Sequence, residues 1–131
     1  MNNPISVLVI DDDQDDHEIF SGAMRIAYPR ALCKFAFNRM EALAQLSVLA
    51  NKPDFIFMDL NMPEMEPEEF IRKLRLIPDM QDIAVYTLSG FAPYDQMKHL
   101  MQIGVTKVLQ KQNTIGQLSN LLRSTIGCAT S

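Results

Sequence analysis

Apolar runs and polar punctuation alternate along this chain in a pattern that predicts strand-helix pairs. The run Ile5 to Ile10 is β-branched and almost wholly apolar, as in a strand covered on both faces, and it stops at Asp11, Asp12 and Asp13. From about Asp15 to Ala27 the residues Ile19, Phe20, Ala23 and Ala27 recur at helical spacing, and Tyr28-Pro29 closes the segment. Ala31 to Phe37 predicts a second strand, interrupted by Lys34. Asn38 followed by Glu41 has the capping-box pattern, Leu43, Leu46 and Ala50 mark the buried face of the helix behind it, and Asn51 is suited to the αL stop before Pro53.

The second half repeats the alternation. Phe55 to Met58 reads as a buried strand that ends in Asp59, followed by an Asn-Met-Pro turn and a helix around Pro67 to Leu76 that begins with proline and two glutamates. Ile83 to Leu88 is a fourth strand ending in Ser89-Gly90. A helix from about Pro93 to Ile103 follows, with Met97, Leu100 and Met101 inward and Gly104 as its stop. Thr106 to Gln110 makes a short fifth strand running into Lys111. Thr114 and Gln117 cap a last helix with the stripe Ile115, Leu118, Leu122 and Ile126, and the residues after Gly127 read as a frayed tail. Five such pairs predict an α/β fold, a doubly wound five-stranded parallel sheet with helices on both faces. With 131 residues the chain fits one domain, its core at about 5–126 and its tail at 127–131.

Composition narrows the function classes. Apolar residues are 47% and charged residues 21%, ordinary for a globular protein, and the net charge of −4 argues against direct nucleic-acid binding. No apolar run approaches a membrane span and the N-terminus lacks a secretory pattern, so a cytoplasmic protein without membrane contact is expected. Cys33 and Cys128 have no metal spacing and read as reduced thiols. His17 and His99 read as partly exposed helix residues, the nine methionines as core filler, and Asp15, Asp16 and Glu18 as a solvated helix start. Phe91, Tyr94 and Met97 fit either a partner surface or loop packing.

The strand ends carry the chemistry. Strand one ends in Asp11-Asp12, strand three in Asp59, strand four in Ser89 and strand five in Lys111. In parallel sheets, ligands bind at this carboxyl edge. Taken singly these are bland: an acidic triplet is often a helix cap, a serine a turn residue, a lysine a surface charge. Together, crowded carboxylates call for a hard divalent cation, and oxygen-only donors suit Mg²⁺. A hydroxyl and an ammonium suit the oxygens of a phosphoryl group, so the expected chemistry is phosphoryl transfer to Asp59.

The set Asp11-Asp12 after VLVI, Asp59 after FIFM, the Met62-Pro63 turn, Ser89-Gly90 after VYTL, and Lys111 after VTKVLQ resembles the receiver domain of two-component response regulators, over nearly the whole chain. The resemblance implies the flavodoxin-like strand order 2-1-3-4-5. It implies that Asp59 accepts a phosphoryl group from a phosphohistidine on a histidine kinase or histidine phosphotransfer protein. Asp12, Asp59 and the backbone carbonyl of Asn61 would bind Mg²⁺, with Asp11 acting directly or through water. Ser89 and Lys111 would pair with the phosphoryl group, and output would pass through contacts with a downstream protein. A stand-alone receiver, monomeric or weakly dimeric, is expected because no output domain follows residue 131. It would catalyse only its own phosphorylation and dephosphorylation.

Three positions depart from the family pattern. Gln112 replaces the usual cis proline after the lysine, so a trans bond is expected. Val108 takes the place of the usual aromatic, and Pro67 that of a glycine, excluding positive φ there. Two alternatives remain open: a phosphorylation-independent binding module of receiver shape, and a metal-dependent phosphohydrolase. Against the hydrolase, the residue two beyond Asp59 is Asn61 rather than an acid.

Overall fold

A computed structural model describes residues 4–48 and 52–130. The elements alternate as β1 (Ser6–Ile10), α1 (Gln14–Ala27), β2 (Leu32–Ala36), α2 (Arg39–Val48), β3 (Phe55–Asp59), α3 (Pro67–Leu74), β4 (Ala84–Ser89), α4 (Tyr94–Gln102), β5 (Lys107–Gln110) and α5 (Ile115–Thr130). All strand pairs are parallel and the sheet order is β2-β1-β3-β4-β5. The doubly wound, flavodoxin-like fold implied by the sequence is therefore the observed one.

Side-chain alternation along the strands divides the core in two. Val7, Val9, Phe55, Phe57, Tyr86, Leu88 and Leu109 pack with Phe20 and Met24 of α1 and Leu118, Leu122 and Ile126 of α5. Leu8, Ile10, Ile56, Met58 and Val85 pack on the opposite face with residues of α2, α3 and α4. Following the alternation to the last residue of β3 and one step past β1 and β5 gives Asp59, Asp11 and Lys111 the parity of the α1/α5 face. Asp12 and Ser89 have the other parity.

The caps behave largely as the sequence predicts. Asn38 Oδ1 accepts the Glu41 N–H at 2.7 Å, and Thr114 Oγ1 accepts the Gln117 N–H at 3.1 Å. Four expectations are corrected. α5 continues to Thr130, so the residues after Gly127 described here are helical rather than frayed; packing of α5 along α1 overrides the glycine. α3 stops at Leu74, leaving Leu76 exposed, and Met101 faces outward from α4. His17 is buried, not partly exposed, its ring lying against Phe35 and Phe37. The expectations for Ala50 and Asn51 fall outside the described residues. None of the described peptide bonds is cis, as expected of the bond before Gln112. Among the described residues no helix is long and apolar enough to cross a membrane.

Gly104 ends α4 with φ of +116°, and a Cβ there would stand 3.3 Å from Ile71 Cγ2. Gly104→Ala should lower stability by about 1–2 kcal/mol. Urea unfolding should show a lower midpoint with an unchanged slope; an unmoved midpoint would contradict the left-handed stop.

Candidate functional site

Parallel pairing of β1 with β3, Val7 opposite Phe55 through Ile10 opposite Met58, brings Asp11 beside Asp59 at the carboxyl edge. Both aspartates are buried, each only 4% exposed. Each accepts a backbone N–H from two residues ahead, Asp13 to Asp11 Oδ1 and Asn61 to Asp59 Oδ1, both at 3.0 Å. These local bonds fix where the carboxylates point. On the far side, the Lys111 N–H donates to the Ser89 carbonyl at 2.8 Å, tying the ends of β4 and β5 together.

Lys111 reaches across this edge. Its Nζ lies 2.7 Å from Asp16 Oδ2, 3.5 Å from Asp59 Oδ2 and 3.9 Å from Asp11 Oδ2. The cleft so formed is lined by Asp11, Asp16, Asp59 and Lys111 above apolar Phe20, Phe57, Leu88 and Leu118. Burial over that floor is the largest influence on Asp11 and pushes its pKa up to about 7, helped by the charges of Asp59 and Asp16 and opposed by the Asp13 N–H and by Lys111. For Lys111, burial works against the charged form. The hydrogen bond to Asp16 and the charges of Asp59, Asp11 and Asp16 outweigh it, so its pKa is raised.

Beneath the site on the other face of the sheet, Arg39 is fully buried. Its guanidinium donates to the Asp59 carbonyl at 2.9 Å and to further carbonyls of the loop that follows. Burial lowers its pKa, with Glu64, Asp59, Glu66 and Asp12 opposing, and the group remains a cation at neutral pH.

The sequence-predicted residues are brought together unequally. Asp11, Asp59 and Lys111 converge. Asp12 is exposed, and its charge acts on Arg39, in keeping with its parity. Ser89 Oγ donates to the Phe91 carbonyl at 2.9 Å within its own loop, and Asn61 is exposed. Asp16 and Arg39 are the residues the sequence reading missed. Asp16, expected to be a solvated helix residue, offers a carboxylate oxygen that together with those of Asp11 and Asp59 lies in a group spanning no more than 4.8 Å. Its position, five residues after Asp11, is in the first turn of α1 on the face that meets the cleft. Three hard oxygen donors at this separation fit a small divalent cation.

Residues 7–123 match the family model of the response regulator receiver domain. The chain belongs to this family. The fold of this receiver domain is shared with the phosphorylated cyanobacterial phytochrome response regulator RcpA, at a TM-score of 0.80 and 22% identity over 94% of this chain and 91% of that one. Chemotaxis response regulator CheY4 of Vibrio cholerae aligns at a TM-score of 0.79 and 22% identity over 93% of this chain and 98% of its own. The Mn²⁺-bound form of response regulator Rcp1 aligns at 0.76 and 19% identity, over 92% and 91% of the two chains. In sequence, an uncharacterised 14.6 kDa protein of Leptolyngbya boryana from the sodA1 3′ region is 26% identical over 107 residues, 82% of this chain and 79% of that one.

Asp11 makes the receiver's stability depend on pH in a defined direction. Its carboxyl pKa rises from about 4 in the unfolded chain to about 7 in the fold, so the stability held with the proton bound is complete below pH ~4 and lost as pH rises through ~7. Asn at this position keeps the oxygen that accepts the Asp13 N–H. Measured by urea unfolding in chelator, Asp11→Asn should exceed wild type above pH 7 by at most about 4 kcal/mol, roughly 1.4 kcal/mol for each pH unit between the two values, and converge with it toward pH 4. A difference independent of pH would contradict the raised pKa.

Proposed function

We propose that this receiver domain is a phosphoacceptor whose Asp59 takes a phosphoryl group from a phosphohistidine on a histidine kinase or phosphotransfer protein. The observation that carries the reading is the placement of Asp59 Oδ2, buried at the end of β3 and 3.5 Å from the Lys111 ammonium. In the transfer, Asp59 Oδ2 forms a bond to phosphorus as the phosphorus–nitrogen bond breaks, and the departing imidazole nitrogen keeps that electron pair and takes a proton from water. Asp59 Oδ1 stays oriented by the Asn61 N–H at 3.0 Å, leaving Oδ2 to react.

Lys111 has a second duty. At rest it is held by Asp16; a phosphoryl group on Asp59 presents stronger acceptor oxygens, and the ammonium turns to them. The Ser89 hydroxyl must leave the Phe91 carbonyl to join them. Both movements bias the segments after β4 and β5, which gives the added charge a mechanical reading by a partner protein. Asp11, Asp12 and Asp59 with the Asn61 carbonyl are the proposed Mg²⁺ ligands, and Asp16 is close enough to join or replace Asp12. When bound, Mg²⁺ supplies positive charge that offsets the transferring phosphoryl oxygens. The phosphorylated RcpA and Mn²⁺-bound Rcp1 structures support the reading by likeness of fold.

Intact-mass measurement with phosphoramidate and Mg²⁺ tests it. Wild type should gain one phosphoryl group and Asp59→Asn none; a gain in both would show that another residue is the acceptor. No gain in correctly folded wild type would favour a phosphorylation-independent binding module. Lys111→Met should fold and lose the phosphorylation-linked change in amide NMR spectra around Ser89. An unaltered spectral response would remove Lys111 from the switch.

A further inference from the structure

Arg39 is a fully buried guanidinium that the acceptor chemistry above does not use. It is the first residue of α2, on the face of the sheet opposite Lys111. Its Nη2 donates to the carbonyls of Asp59 at 2.9 Å and Leu60 at 3.4 Å. Its Nη1 donates to the carbonyls of Met62 at 3.4 Å and Met65, and Nε reaches Met58 Sδ at 3.1 Å. In return, the Arg39 backbone N–H donates to Glu64 Oε1 at 2.6 Å. The whole turn from the acceptor to α3 is thus fastened to the start of α2 from both directions.

The pattern of contacts is selective. Of the successive carbonyls of Asp59, Leu60, Asn61 and Met62, Arg39 binds every one except that of Asn61. Among the described hydrogen bonds the Asn61 carbonyl accepts none, although its N–H is held by Asp59 Oδ1. A planar five-donor fork can span several carbonyls at once, whereas an ammonium acts as a point charge. A buried charge so covered fixes backbone geometry, because each donor released would be left without water.

We propose that Arg39 is the positioning residue of the acceptor loop: its fork fixes the backbone around Asp59 on α2 and leaves the Asn61 carbonyl as the oxygen free to serve a divalent ion. The role assigned to that oxygen rests on the phosphoacceptor reading; the hold of Arg39 on the loop does not. Arg39 touches no reacting atom, so its influence reaches the metal only through the loop.

The test compares wild type, Arg39→Met and Arg39→Lys by amide hydrogen exchange over residues 60–65 without metal, and by Mn²⁺ titration followed by electron paramagnetic resonance. Urea unfolding of each protein sets its stability. Both variants should exchange faster in this loop, and Mn²⁺ affinity should fall by about 10–100-fold, as for other residues that orient metal ligands. Arg39→Lys keeps the charge and carries the test if Arg39→Met does not fold; it should still lose affinity because the fork is gone. Loop exchange and Mn²⁺ affinity unchanged in a folded variant, whatever its urea midpoint, would overturn the proposal and leave Arg39 as core filling. If wild type binds no Mn²⁺ while the variants still exchange faster in the loop, the metal reading falls and the hold of Arg39 on the loop stands.

Discussion

The in-register parallel pairing of β1 with β3 is the constraint on which the rest of this receiver depends. It sets Asp11 beside Asp59 over an apolar floor, an arrangement that like-charge repulsion and desolvation both oppose. The chain meets this with Lys111, brought from the far edge by β5 and drawn between three carboxylates. Asp11 and Lys111 each suffer from burial, and each favours the charged form of the other. Such a balance is easily retuned by one added charge, and a phosphoryl group on Asp59, as proposed above, would bring one.

Asp59 stands between two cations that act on different parts of it. Lys111 faces its carboxylate from the α1/α5 side, while Arg39 holds its carbonyl from the α2/α3 side. The first cation is part-exposed and has several partners within reach, so it can exchange them. The second is fully buried with its donors committed, and a change of partner would strand polar groups away from water. A movable cation on one face and a fixed one on the other allow the surroundings of the Asp59 carboxylate to rearrange without shifting its backbone.

Much of this was legible in the sequence. The strands announce themselves as short apolar runs, and alternation carries on past their ends to place Asp11, Asp59 and Lys111 together. The missed residues share a physical reason. Asp16 and Arg39 lie in the first turns of helices, where acids and bases are ordinarily solvated, and only tertiary packing shows that Asp16 meets Lys111 and that Arg39 points inward. The extension of α5 past Gly127 was hidden in the same way, since glycine is a helix stop by local preference and a tolerated residue where the helix has a neighbour to pack on. His17 was misjudged because its ring finds two phenylalanines from β2 and the residue after it, contacts that helical periodicity does not contain.

The sheet has two open margins, β2 and β5, and each carries an exposed lysine, Lys34 in the middle of one and Lys107 at the start of the other. An unpaired strand is a template on which another copy can add, and a cationic side chain along it is the usual deterrent. Like edges brought together would oppose lysine to lysine. The lysine that interrupts β2 in the sequence therefore has a use: it discourages these sheets from joining edge to edge into longer ones.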